Sequence, residues 1–281
     1  MLKTGVTLGC AAAMIVATVL VVRLRDTRRT PSPLAGNEPF GERLAITVSR
    51  TGGMLVGAYL AGVLTIGAGA RLMMRVLAAT SSDDVQGRLT EADEVIGNVS
   101  FGGSLFLIVI VGMGTAVVGL APYATLRRWL PDRSLAAGLI GVAIGAGLLV
   151  RPAGLLTADN RDFTLVAPVA LAVAFCLAML ALFGATFGVL VDQLAPRWPR
   201  PGWSLKGVGA LVPFAMLLSA PPIFVACLVG VLAGTAAPKL RPAAPPATLQ
   251  GARARVGRIV VALGGLGSLS IVVAAGQVLA L

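Results

Sequence analysis

The 281-residue chain contains no histidine. That removes the commonest general base and the commonest metal ligand in one step, and with them intramembrane proteolysis by a metal or by a Ser/His pair. Cysteine is nearly absent. Cys10, Cys176 and Cys227 each stand alone within an apolar run, so they spell neither a zinc knuckle nor a redox pair and read as small buried hydrophobes. Charge is also scarce, at 12% of residues. The apolar cores hold no Asp for an aspartyl dyad, and no ionisable residue of the kind that proton- or ion-coupled carriers keep at mid-membrane. Phosphate-loop, dinucleotide, zinc-protease and nucleophile-elbow signatures are all missing. Gly67, Gly69, Gly112 and Gly114 lie inside apolar runs, where no phosphate cradle forms. The expectation is a protein with no catalytic residues, no cofactor and no metal site of its own: not an enzyme.

What remains is long apolar sequence. Hydrophobic residues make up 57% of the chain and mean hydropathy is +0.89, well above what a soluble core requires. The charges gather in short clusters between runs long enough to cross roughly 30 Å of hydrocarbon. The expected fold is an all-α polytopic transmembrane bundle of six to seven membrane segments. Net charge is +11, but nearly all Lys and Arg flank apolar runs, where orientation and anionic headgroups account for them. Without a finger, an RNA-binding signature or a basic helix interleaved with aromatics, nucleic acid is not a partner. The lipid bilayer is the expected partner, together with other membrane proteins, and the bacterial cytoplasmic membrane the expected location.

Seven regions follow along the chain. Residues 1–22 resemble a signal anchor, because a cleavable signal would carry a stronger basic start than Lys3 and a small-residue cleavage site. Residues 23–50 form a basic linker, and 51–192 a core with apolar runs at Thr51–Ala70, Val95–Leu126, Ser134–Val150 and Thr164–Val191. The second run is expected to continue as helix through Ala79, which puts Arg71 and Arg75 on one face. Residues 193–206 make a loop, 207–238 a segment broken by Pro213, Pro221 and Pro222, 239–258 a Pro/Ala-rich basic linker, and 259–281 a last transmembrane helix.

Charge bias alone does not orient seven crossings, because twelve Lys and Arg fall on one face and eleven on the other. If 207–238 is instead a re-entrant hairpin, the tally becomes seventeen against six, a normal positive-inside bias. A kinked spanning helix and a hairpin both remain open. Trp129, Trp198 and Trp203 lie in the basic loops at 127–133 and 192–206, so both loops are expected on the cytoplasmic face. Glycines four apart recur at Gly5/Gly9, Gly53/Gly57, Gly141/Gly145, Gly184/Gly188 and Gly230/Gly234. They allow close helix approach, either within the chain or at a homodimer face.

The candidate site is an outer-face charged cluster. Arg71 and Arg75 end the second helix, and Glu91, Asp93, Asp159 and Asp162 fall on the same face under alternation. These groups either bind a partner, a headgroup or a divalent cation, or neutralise one another between loops. Thr90 with Asp93 also has the spacing of a capping box that starts the third helix.

The stretches GARLMMRVLAATSSDDVQGRLTEADEVIGNVSFGGSLF, APYATLRRWLP and ADNRDFTLVAPVALAVAFCLAMLALFGA resemble a family of uncharacterised actinobacterial membrane proteins over roughly residues 52–192. The pattern is an ARxxMR helix end, a TE-containing loop and a DNxDFxxxxP turn, matched here by Arg71, Arg75, Thr90, Glu91, Asp159, Asn160, Asp162, Phe163 and Pro168. The resemblance implies membrane class and source, and no activity. Two function classes stand beside each other: a non-enzymatic membrane subunit or scaffold, and a small transporter or channel built around the interrupted 207–238 segment.

Overall fold

The computed structural model describes residues 2–30, 38–82, 85–89, 95–96, 100–127, 129–149, 160, 163, 165, 168–202, 204–219, 227, 229, 231–232, 235 and 247–280. It is an all-α bundle, and the protein is a membrane protein. Among the described residues, five helices are long and apolar enough to cross a bilayer: α1 (Leu2–Leu24), α2 (Phe40–Thr80), α3 (Phe101–Leu126), α5 (Val169–Leu194) and α8 (Ala247–Leu279). Between them lie the shorter apolar helix α4 (Ser134–Leu149) and two fragments, α6 (Leu205–Gly209) and α7 (Val212–Ala215), followed by a 3-10 turn at Met216–Ser219.

Contacts between named residues fix the relative directions of α2, α3, α4, α5 and α8. Gly53 and Gly57 of α2 meet Leu194 and Leu190 of α5, while Gly69 meets Met179, so α2 and α5 are antiparallel. Gly62 and Gly67 meet Gly112 and Ile108, which sets α3 antiparallel to α2. Gly138 lies against Gly184 and Gly188, so α4 is antiparallel to α5. In α8, Gly264 faces Ile140 and Gly267 faces Ala143, which makes α8 parallel to α4. Among the described residues the candidate membrane segments are the five long helices and the shorter apolar α4.

One end of the bundle gathers the tryptophan-bearing loops. The Ser134 amide donates to the Thr27 carbonyl at 3.0 Å, and the Arg29 amide to the Asp132 carbonyl at 3.0 Å. The Ser49 hydroxyl donates to the Trp198 carbonyl at 2.6 Å, and the Trp198 indole to the Ala210 carbonyl at 3.2 Å. α5 ends at this face beside Trp198, and α8 sets out from it with Gly257 beside the Trp129 carbonyl. The end of α5 and the early part of α8 therefore lie at the same face; the choice between a hairpin and a kinked helix for 207–238 falls largely outside the described residues.

Several boundaries differ from the sequence expectation. α2 begins at Phe40, with Pro39 at its N-cap and Glu42 in the first turn, so residues 40–50 are helix and not linker. α8 begins at Ala247, and the basic GARARVGR stretch is helical as well. Both extensions are mixed in polarity, and a search for apolar runs cannot see them although their helix propensity is good. α3 starts later than expected, at Phe101, with the Ser100 hydroxyl accepting from the Gly103 amide at 3.0 Å. The reason lies just upstream. Gly87, at φ 84, turns the chain so that Ile96 donates to the Arg88 carbonyl and accepts from the Gly87 amide. Val95 is thereby held in a bridge with Leu89, and neither Val95 nor Ile96 joins the helix; Thr90 and Asp93 lie outside the described residues.

Candidate functional site

Two sets of charged side chains stand out, one at each end of the bundle. At the tryptophan end, Arg127 directly follows α3 and Asp192 occupies the last turn of α5; they are 5% and 9% exposed. The Arg127 Nη2 donates to Asp192 Oδ2 at 2.7 Å, and Nε donates to both carboxylate oxygens at 3.1 and 3.2 Å. The remaining valences are used locally: Nη1 donates to the Pro131 carbonyl at 2.7 Å and Nη2 to that of Asp132 at 3.3 Å. The Ser134 hydroxyl, at the start of α4, donates to Asp192 Oδ2 at 2.6 Å. The Tyr123 ring, 6.0 Å from the guanidinium carbon, adds a cation–π contact. Burial works against the Arg127 charge, but the hydrogen bond to Asp192 and the nearby negative charge outweigh it and hold the pKa above the usual arginine value.

This set is closed. The carboxylate and guanidinium already use their bonds on each other, on Ser134 and on the loop carbonyls. Its chemistry is that of a clasp joining α3, α4 and α5, and it offers neither a base nor a nucleophile. Sequence reasoning put Arg127 and Asp192 in the basic loops at 127–133 and 192–206. The missed signal was a lone acid at the end of one apolar run, a lone arginine at the end of another and Ser134 opening a third. Nothing in the linear order pairs residues 65 positions apart.

The set at the opposite end is open. Arg71 and Arg75 lie one turn apart on α2, as the sequence predicts. Arg71, however, is only 4% exposed and does not project into solvent. Among the described residues its Nε and Nη2 have no hydrogen-bond partner, and neither has the Nε of Arg75. Asp and Glu partners were expected, but Glu91, Asp93, Asp159 and Asp162 lie outside the described residues, so the structure brings together only the two arginines of that set. Among the described residues no group of three His, Cys, Asp or Glu side chains could hold a metal. Of the other positions in the resemblance, Phe163 is buried against Leu77, Val173 and Ile271, and Pro168 is the N-cap of α5.

A cavity of about 230 Å³ lies between α1, α2 and the start of α3, lined by Val6, Gly9, Cys10, Ala68, Phe101 and Ile108 among others. A second buried arginine, Arg43, is 1% exposed at the tryptophan end, with Nε and Nη1 unpartnered. The sequence reading treated it as one more basic linker residue.

No family model, curated protein or solved structure matches this chain.

Proposed function

We propose that this protein is a non-enzymatic membrane subunit or scaffold of the bacterial cytoplasmic membrane, working through contacts with lipid and with other membrane proteins. One observation carries the reading: the helices close on one another backbone to backbone. Gly62 lies against Gly112, Gly138 against Gly188 and Gly147 against Gly267, so near that a Cβ on the first of each pair would overlap the facing backbone. Such packing leaves little room for a polar passage along these seams. The clasp of Arg127, Asp192 and Ser134 adds rigidity at one end. A rigid bundle presenting apolar faces suits lateral association better than alternating access, which needs parts that rock against each other.

The transporter reading rests on the proline-interrupted 207–238 segment, since interrupted helices at membrane depth are where carriers build sites. Purification of the intact protein from native membranes in mild detergent separates the two. A membrane-protein partner retained at a stoichiometric ratio is the expected result. A lone protein that moves solute when reconstituted in liposomes would overturn the scaffold reading.

A further inference from the structure

We propose that Met14, Met73, Cys176 and Met179 form a binding site for one soft monovalent metal ion of the Cu(I) class, held where α1, α2 and α5 meet. The inference goes beyond the scaffold reading and does not rest on it.

Four sulfur atoms gather there from three helices. The Cys176 thiol of α5 donates to the Met73 Sδ of α2 at 3.8 Å. One turn away, the Sδ atoms of Met179 and Met14 lie 2.8 and 3.3 Å from the point where a Cβ on Gly69 would stand. Residues three or four apart share a helix face, which joins Cys176 with Met179 on α5 and Gly69 with Met73 on α2. The antiparallel order of the two helices then sets the two sulfur pairs next to each other. Gly69 opens the room they use, since a Cβ there would overlap the Met179 sulfur.

The donor set selects the ligand. Thiolate and thioether sulfur prefer soft ions such as Cu(I) over the hard cations that carboxylates and carbonyls hold. At a metal–sulfur distance of about 2.3 Å, two sulfurs on one ion stand roughly 3.8–4 Å apart, and Cys176 and Met73 already have that separation. Methionine has three rotatable bonds and adapts to irregular spaces, so the other two sulfurs can turn toward the same ion. Charge decides between a monovalent and a divalent ion. Binding forms a metal–sulfur bond in place of the Cys176 S–H and releases the proton to solvent, so thiolate and monovalent cation sum to zero. A divalent ion would leave a net positive charge among apolar groups, which is costly. Those groups are Leu77, Ala172, Val173 and Ile271, in the cluster against which Met73 and Cys176 pack. Arg71 stands about 200° around α2 from both Gly69 and Met73, on a different face of the helix.

The test is equilibrium dialysis of the intact detergent-purified protein, reduced and anaerobic, against Cu(I) buffered by a competing chelator, with Ag(I) as a second probe and the retained metal counted by mass spectrometry. The wild type should hold one ion, melt higher with it and keep it against Zn(II). Even a group that only orients a metal ligand changes affinity about tenfold or more, so Cys176→Ser and Met73→Leu should each weaken retention at least about tenfold. Met14→Leu and Met179→Leu should weaken it as well. Cys227→Ser, at a thiol packed against a different core cluster, should not. Gly69→Ala puts a methyl group where two sulfurs sit and should also lower retention. Methionine-to-leucine exchange conserves volume, and metal-free melting of each variant checks that the fold is kept. A wild type that retains no ion, or retention undiminished in both Met73→Leu and Gly69→Ala, would overturn the site. Equal losses in Cys227→Ser and Cys176→Ser would identify adventitious thiol binding and overturn it too.

Discussion

Asp192 shows how much one side chain decides in this bundle. Removing its charge would leave Arg127 buried beside a neutral partner, and breaking a buried pair from one side costs about 3–5 kcal/mol. Asp192→Asn should therefore lower the melting temperature and the amount accumulated in membranes. Replacing Arg127 and Asp192 together with apolar residues should cost less than the single change, because no uncompensated charge remains. A double variant as unstable as Asp192→Asn would argue against the pair as the cause. Because the folded-state pKa of Arg127 is raised, its contribution is present below the ordinary arginine value and is lost only as pH rises through the higher folded value. Melting between pH 6 and 9 should show no transition from Arg127. The residue types were legible in the sequence, as was the shared face of Arg71 and Arg75. Their burial was not, since a charge at the end of an apolar run looks the same whether it faces water or a neighbouring helix.

Among the helices, glycine separates packed seams from open ones, and the sequence motif does not. Gly184 and Gly188 contact α4, and Gly53 and Gly57 contact α5, whereas a Cβ at Gly5, Gly9 or Gly145 would meet nothing within 4 Å. Gly188→Val should thus drive α4 from α5 and sharply reduce folded protein, since overpacking costs about 1–3 kcal/mol even where neighbours can yield, and here the neighbour is backbone. Gly145→Val should be tolerated. Folded yield in detergent compares them, and equal losses would mean that helix propensity and not contact sets the outcome. The central runs of α1, α3, α4 and α5 were readable from length and hydropathy. The starts of α2 and α8 were hidden in mixed-polarity sequence, and the start of α3 was displaced by the Gly87 turn, which pairs Ile96 back with Gly87 and Arg88.

For the whole molecule, α5 ends and α8 sets out at the tryptophan end, and the segments 23–50, 127–133, 192–206 and 239–258 carry seventeen of the 23 Lys and Arg residues. By the positive-inside rule that end is expected on the cytoplasmic side. In a background without native cysteines, Thr248→Cys should react with an impermeant maleimide only after the cells are opened, and Ser82→Cys in intact cells. The reverse pattern would invert the protein, and labelling of both in intact cells would dissolve the hairpin. The sequence by itself determined the solvent, the helical class and the approximate number of membrane segments, because hydropathy and length act locally and add along the chain. Only the tertiary structure decided the antiparallel order of α2, α3 and α5, the union of Arg127 with Asp192 and the burial of Arg71. Each depends on which helices lie side by side, and in lipid that choice is made by close backbone approach and the pairing of a few buried polar groups, terms that have no counterpart in the order of residues.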